Sequence, residues 1–184
     1  MRECLILGNG PSVVNAPTDL PSFGCNFAPR QPTYYVCIDT HVLTEHVDDI
    51  YPLASGAQVT WLSARHEGSS RLYQLPYVRL VSKDTQSFKA EQFMSGLTAS
   101  YVMLKIAYYE GFQRVHLWGV DHSPAWDHYS VNYHADTKPP IPSRMFVMEQ
   151  HYMLAAHVYA RAGREIINHS NPSRLDMIFG RAEK

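Results

Sequence analysis

The chain has 184 residues, of which 45% are hydrophobic and 18% charged, and its formal net charge is −1. A domain of this size buries roughly 70% of the surface that its unfolded chain exposes, so we expect one self-sufficient domain over residues 1–184. The near-zero charge gives no electrostatic reason to expect nucleic acid or an anionic membrane as a partner. Any anionic ligand must therefore be held by local contacts.

The apolar stretches are too short to cross a membrane. Residues 4–7 and 115–120 are the most apolar runs, far below the ~20 residues that a spanning helix needs, and the N-terminus lacks a basic-then-apolar signal pattern. We therefore expect a cytoplasmic protein without a transmembrane segment. Cys4, Cys25 and Cys37 are scattered among apolar neighbours, which predicts buried thiols rather than disulfides or metal ligands.

The first half of the chain alternates short apolar runs with turns. Residues 4–7 form an apolar run that stops at Gly8, which is typical of a buried parallel strand ending in a glycine turn. A helix is predicted over residues 41–51, with Thr40 as its cap and Pro52 at its end. Further strands are predicted at residues 23–26, 34–39, 59–62 and 77–81.

The second half repeats this alternation with longer helices. Helices are predicted over residues 96–110 and 144–162, each followed by a glycine that stops it. Strands are predicted over residues 115–121 and 165–168. Alternating strands and helices indicate an α/β, Rossmann-like single domain, in which a mainly parallel sheet is flanked by helices. Such sheets bind ligands outside the carboxyl ends of their strands.

The turn after the first strand is a candidate nucleotide-binding element. It reads Gly8-Asn9-Gly10-Pro11-Ser12, and its glycines allow consecutive backbone N–H groups to approach an anion, with the Ser12 hydroxyl as a further donor. It is neither the dinucleotide fingerprint nor a lysine-containing P-loop, which disfavours NAD or ATP bound by those mechanisms. An ordinary tight turn before a helix is the alternative interpretation.

Three further strand or helix ends carry polar candidates. The predicted helix 96–110 begins with free N–H groups. These groups could bind a phosphate, or a side chain could cap them. Asp39 and Asp121 each end a strand, where a carboxylate accepts ribose or sugar hydroxyls or caps the next turn. The residues at the helix start are Ser95, Gly96, Leu97 and Thr98.

The loop after residues 115–121 has the densest polar cluster in the chain. Its members are His122, His128, Tyr129, Tyr133 and His134. Imidazoles take up a proton near neutral pH and phenols donate to a leaving phosphate, so the loop suits group transfer, although each histidine also fits a structural role. The histidines with Asp121 and Asp127 match no compact metal-binding motif, and we predict no metal site.

Together, these segments resemble the bacterial family 42 sialyltransferases and the related MptE-like (hydroxymethylpterin pyrophosphokinase-like) Rossmann proteins. The resemblance runs over most of the chain. It is carried, in order, by residues 7–12, Cys25-Asn26, Ser95-Gly96, residues 111–121 and Asn171-Pro172-Ser173.

The resemblance implies that the sialyltransferase elements hold the CMP part of CMP-sialic acid without a metal or cofactor. The residues that would do so are Asn9, Gly10, Ser12, Asn26, Ser95 and Gly96. With their neighbours and the strand-end residues, the predicted nucleotide-binding set is Gly8, Asn9, Gly10, Pro11, Ser12, Asn26, Asp39, Ser95, Gly96, Leu97, Thr98, Gly119, Val120, Asp121 and His122. The family also implies a histidine base and a tyrosine on the leaving phosphate. By sequence context we assign these roles to His128 and Tyr129, with His134 as the reserve base.

Three functions are compatible with the sequence. The leading one is a sialyltransferase-like glycosyltransferase that uses a CMP-type donor and a glycan or small-molecule acceptor, although Ser123 stands where the family has a loop tyrosine. The second is an MptE-like pyrophosphokinase that uses Mg-ATP, with Asp39, Asp121 and Asp127 facing the metal. The third is a non-catalytic nucleotide-binding module. The predicted helix 144–162 fits either core packing or a homo-oligomer interface.

Overall fold

The computed structural model describes residues 1–81, 98–122, 142–171 and 173–180, with backbone alone for residues 142–144. The strands in this part are β1 (Glu3–Leu7), β2 (Ser22–Cys25), β3 (Tyr34–Cys37), β4 (Val59–Ser63), β5 (Val78–Val81), β6 (Arg114–Trp118) and β7 (Glu165–Asn168). The α-helices are α1 (Thr40–Glu45), α2 (Val47–Ser55), α3 (Ala99–Tyr109), α4 (Pro142–Arg161) and α5 (Asp176–Phe179). Short 3-10 helices lie at Pro11–Asn15, Ala64–His66 and Arg71–Gln74.

The seven strands form one sheet in the order β5-β4-β3-β2-β1-β6-β7. Every neighbouring pair is parallel. This arrangement confirms the predicted α/β, Rossmann-like fold with a parallel sheet. From β1 the chain adds strands in one direction as far as β5, and then returns to place β6 and β7 on the other side of β1. The strand order therefore reverses between β1 and β6, which is the switch point where open parallel sheets bind ligands.

Helices cover both faces of the sheet because the central strands are buried on both sides. Helices α3 and α4 pack on one face, where Ile6 and Leu117 of the sheet meet Leu104 and Tyr152 of the helices in one core cluster. On the other face, α1 and α2 pack over β3 and β4. The chain that follows β1 covers Leu5 and Leu7 with Val13, Ala16 and Leu20.

Two details of the predicted helix 41–51 are wrong. The helix breaks at His46, whose φ of −122° and ψ of 28° separate α1 from α2, and Pro52 lies inside α2 instead of ending a helix. The helix continues past Pro52 because Ile50 and Ala54 bury its apolar face. The cap is Asp39 and not Thr40, since the Asp39 carboxylate accepts a hydrogen bond from the His41 N–H at 3.0 Å.

The prediction of buried thiols is confirmed, since Cys4, Cys25 and Cys37 are free and buried. Burial raises the pKa of Cys25 to about 12, so this thiol stays protonated at physiological pH. In the ranges described, no helix combines the length and apolar character needed to span a membrane.

Candidate functional site

The turns after β1 and β6 lie against each other at the switch point. Because Leu7 pairs with Trp118 in the sheet register, both strands end at the same level. The Gly8 N–H then donates to the Trp118 carbonyl, and the Gly10 N–H donates to the Gly119 carbonyl, each at 2.8 Å. Backbone hydrogen bonding thus continues past the strand ends and joins the two turns at the switch point.

Two glycines make this approach possible. A Cβ on Gly8 would overlap the Gly119 carbonyl, and a Cβ on Gly10 would overlap the Asp121 carboxylate. Gly10 has an ordinary φ of −75°, so lack of space, and not backbone conformation, requires glycine there. The sequence predicted that these glycines bring N–H groups to an anion, whereas in the structure the Gly8 and Gly10 N–H groups donate to the turn after β6.

Ser12 joins the two turns through its side chain and its backbone. Its hydroxyl donates to Asp121 Oδ1, and its N–H donates to Asp121 Oδ2 at 3.2 Å. The same hydroxyl accepts a hydrogen bond from the Gly119 N–H at 3.0 Å. Burial raises the pKa of the Asp121 carboxyl above its usual value, while the two hydrogen bonds from Ser12 lower it. Asp121 therefore has a structural role, because it ties the turn after β6 to the turn after β1.

Asn9 differs from its neighbours in the turn. Its Oδ1 atom is buried and has no hydrogen-bond partner. Leaving a buried acceptor unsatisfied costs about 1–3 kcal/mol, and buried polar atoms in folded proteins are nearly always paired. A ligand that carries a hydrogen-bond donor, such as a hydroxyl or amino group, would satisfy this oxygen.

Asn26, which follows β2, is held in an unusual conformation. Its φ is +50°, in the left-handed region, and asparagine tolerates this region better than most residues. Its carbonyl accepts a hydrogen bond from the Tyr35 hydroxyl at 2.8 Å, and its Oδ1 accepts one from Cys37 Sγ at 3.4 Å. These contacts fix the side chain at the carboxyl edge of β2, next to β1.

The remaining predicted residues divide into two groups. Asp39 caps α1. Thr98 caps α3, because the Thr98 hydroxyl accepts a hydrogen bond from the Ser100 N–H at 3.4 Å. Both side chains therefore fit the capping alternative. The predicted residues Ser95, Gly96, Leu97, His128, Tyr129 and His134, together with Asp127, lie outside the described residues.

Next to Asp121, the structure contains a charged cluster that sequence reasoning missed in part. His122 was predicted as a ligand residue, but its contact with Glu149 of α4 was not expected. His122 Nε2 lies 3.4 Å from Glu149 Oε1, and Arg174 Nε lies 2.9 Å from the same oxygen. One signal was available in the sequence, because helical spacing places Glu149 on the same apolar face as Met148 and Tyr152.

The N-terminus of α3 reaches the same region through Tyr152. The Tyr152 ring packs edge-on against His122 with centroids 5.8 Å apart. Burial raises the pKa of Tyr152 to about 12, and side-chain hydrogen bonds with Thr98 and Ser100 oppose that shift. The end of β6, the start of α3 and the middle of α4 thus meet in one place.

The loop between β7 and α5 completes the edge. Ser170 Oγ accepts from the Val120 N–H at 2.9 Å, and Ser173 Oγ donates to the Val120 carbonyl at 3.3 Å.

In residues 1–81, 98–122, 142–171 and 173–180, no group of three or more His, Cys, Asp or Glu side chains is arranged to hold a metal ion.

No protein-family model matches this sequence, and no curated protein matches it. Solved structures do match it. The sialyltransferase CstII from Campylobacter jejuni in complex with cytidine-5'-monophosphate is 15% identical with a TM-score of 0.63, over 100% of this chain and 86% of that chain. Its complex with a trisaccharide acceptor and CMP gives 14% identity and a TM-score of 0.57, over 98% and 86% of the two chains.

A monofunctional alpha-2,3-sialyltransferase, Cst-I from Campylobacter jejuni, is also similar. It is 17% identical with a TM-score of 0.61, over 100% of this chain and 81% of that chain. The likeness extends along the whole of this chain and includes the parallel sheet described above. The chain therefore has the fold of these bacterial sialyltransferases.

Proposed function

We propose that this protein is a sialyltransferase-like glycosyltransferase that binds a CMP-activated sugar at the switch point between β1 and β6 and needs no metal ion. Its acceptor is a glycan or a small hydroxyl compound. The single observation that carries the proposal is the unsatisfied, buried Oδ1 of Asn9 at this switch point. Solved structures of the same fold are complexes with CMP, which makes a cytidine nucleotide the first ligand to consider.

The geometry of the turn supports binding without a metal. Both carboxylate oxygens of Asp121 accept hydrogen bonds from Ser12, which leaves this acid poorly placed as a ligand for Mg²⁺. Asp39 is engaged in capping α1. These two contacts weigh against the pyrophosphokinase alternative, which needs acidic residues facing a metal-bound triphosphate.

The proposed chemistry is a direct transfer. The acceptor hydroxyl oxygen forms a bond to the anomeric carbon of the sugar, the bond from that carbon to the CMP phosphate oxygen breaks, and the electron pair leaves with CMP. The acceptor proton passes to His128 as general base, with His134 as the reserve, and the Tyr129 phenol donates to the leaving phosphate. These roles rest on sequence context and on the resemblance to the family.

The experiment measures CMP release from CMP-sialic acid by the purified protein in the presence of excess EDTA. We expect release with a saccharide acceptor, and a loss of about 100-fold or more for His128→Ala, because a positioned general base contributes about 10²–10⁴-fold. His157→Ala is the matched control, since His157 is exposed on α4.

Three results would contradict the proposal. Full activity of His128→Ala would remove the assigned base, and turnover that requires Mg²⁺ and a nucleoside triphosphate would favour the pyrophosphokinase. CMP binding without turnover of any donor would identify a binding module that has lost catalysis.

A further inference from the structure

The residues of the two turns at the switch point, 8–12 and 119–121, are neutral apart from Asp121. In the Gly8–Ser12 turn, the N–H groups of Gly8, Gly10 and Ser12 and the Ser12 hydroxyl already donate to other protein groups, and Asp121 is itself negative when ionised. A phosphate monoester such as CMP has one to two negative charges near neutral pH. Sites that bind phosphate without a metal generally supply a cation as well, and arginine matches phosphate through its planar array of donors.

Arg174 lies at this edge and is attached to the end of β6. The backbone N–H of Arg174 donates to the His122 carbonyl at 3.4 Å. The hydroxyl of the adjacent Ser173 donates to the Val120 carbonyl. Both contacts are next to Asp121, which hydrogen-bonds to the turn after β1. Residues 120–122 therefore link the backbone of Arg174 to the glycine turn, through hydrogen bonds on either side of Asp121 and through Asp121 itself.

The guanidinium of Arg174 is held at one end. Its Nε lies 2.9 Å from Glu149 Oε1, while the side chain as a whole is 44% exposed. Within the described residues no hydrogen bond of its two terminal nitrogens is found, which leaves their donors for a ligand. The pair is an ion pair by distance, since Glu149 Oε1 has no hydrogen-bond partner, and the attraction of the two charges keeps Nε beside Glu149 while the side chain stays partly exposed.

Glu149 is placed at an energetic cost. Its side chain is only 14% exposed and lies beside Met148 and Tyr152, and His122, at 7% exposure, contacts the same carboxylate oxygen. Buried ion pairs add little to stability, and apolar replacements of similar size are often as stable or more stable. A carboxylate in this position is therefore better explained by what it orients than by the stability it adds.

We propose that Arg174, positioned by Glu149, binds the phosphate group of the nucleotide donor. This inference rests on the proposed function, since it names a residue for the phosphate of the same ligand. Arg174 contacts the substrate in this account, whereas Glu149 acts through Arg174 and is a positioning residue.

The test compares two ligands that differ only in the phosphate. Binding of CMP and of cytidine is measured by calorimetry for the wild-type protein and for Arg174→Gln. We expect Arg174→Gln to lose about tenfold or more in CMP affinity, as for a hydrogen bond between charged groups, and to keep its cytidine affinity. Arg161→Gln is the matched control, because Arg161 is exposed at the end of α4, and it should bind both ligands as the wild type does.

Two further variants separate positioning from fold stability. Glu149→Gln should weaken CMP binding less than Arg174→Gln, again with cytidine unchanged, and Arg174→Lys should recover part of the loss because it keeps the charge. Equal CMP affinity in Arg174→Gln and wild type, or equal losses for CMP and cytidine, would overturn the role of Arg174. Wild-type protein that binds neither ligand would instead overturn the proposed function, and the phosphate assignment with it.

Discussion

Ser12 and Asp121 are joined by two hydrogen bonds, one from the Ser12 hydroxyl and one from its N–H, across the point where the strand order reverses. The hydroxyl also accepts from the Gly119 N–H. The turns after β1 and β6 thus form one rigid unit. A turn fixed in this way positions Asn9 before a ligand arrives, which reduces the ordering cost of binding.

Replacing Ser12 tests this unit. Ser12→Ala leaves the Gly119 N–H without its acceptor and removes one donor to the buried Asp121 carboxylate, so the free energy of unfolding should fall by about 1–3 kcal/mol. Urea denaturation measures the change. Ser69→Ala, at an exposed serine, should alter the free energy of unfolding by less than about 0.5 kcal/mol. Equal effects of the two substitutions would show that the link contributes nothing to stability.

A methyl group at Gly10 should be poorly tolerated. Gly10→Ala places a Cβ against the Asp121 carboxylate and the Gly119 carbonyl, and overpacking of this kind costs about 1–3 kcal/mol. Gly56→Ala is a matched control, since Gly56 also has an ordinary φ and its added Cβ would meet only the flexible Gln31 side chain. We expect a lower midpoint of thermal unfolding for Gly10→Ala than for Gly56→Ala, and the reverse order would contradict the packing described.

Asn9 should show opposite effects on stability and binding. Its side chain makes no hydrogen bond in the free protein, so Asn9→Ala should leave the free energy of unfolding unchanged or raise it by up to about 1 kcal/mol. CMP affinity should fall, because the ligand loses an acceptor. Thermal unfolding with and without CMP measures both quantities, and Asn15→Ala, at an exposed position, is the control. A marked loss of stability in Asn9→Ala would contradict the unsatisfied state of Oδ1.

His169 should make stability depend on pH. Burial and the neighbouring His116, whose Nδ1 lies 2.9 Å from His169 Nε2, lower the pKa of His169 below its usual value near 6.5. As pH falls below about 6.5, the unfolded chain takes up a proton at this residue before the folded protein does. The contribution of neutral His169 to the free energy of unfolding is therefore complete above about pH 6.5 and is lost as the pH falls below it.

The comparison of variants isolates this effect. His169→Gln should flatten the dependence of the free energy of unfolding on pH between about 5 and 7, whereas His157→Gln, at an exposed histidine, should not. The pKa of Glu3 is lowered, mainly by its hydrogen bond with His116, so a separate loss of stability is expected as the pH falls below about 4.5. Parallel curves for His169→Gln and wild type would exclude the burial argument.

The sequence predicts the fold well because the signals for it are local. The apolar run 4–7 followed by glycine, and the alternation of strands with helices, predict the parallel sheet and the position of the glycine turn. The break at His46 could not be predicted, since it depends on how α1 and α2 each bury an apolar face against β3 and β4. Proline inside α2 is tolerated for the same tertiary reason.

The candidate site was predictable only in part. Gly8, Gly10 and Ser12 lie within one turn whose position was predicted, but their bonds to the turn after β6 join residues more than 100 positions apart and have no local signal. The contact of Glu149 with Arg174 joins α4 to the loop after β7, and no local pattern predicts such a pairing. The roles of His128, Tyr129 and His134 stay predictions, because these residues lie outside the described part of the chain.

The most direct test of the central claim is a calorimetric titration of the purified protein with CMP in buffer that contains EDTA. The account predicts saturable binding at one site per chain, unchanged when Mg²⁺ replaces the chelator and weakened by Asn9→Ala. Absence of CMP binding under both conditions, or binding that appears only with Mg²⁺, would contradict it.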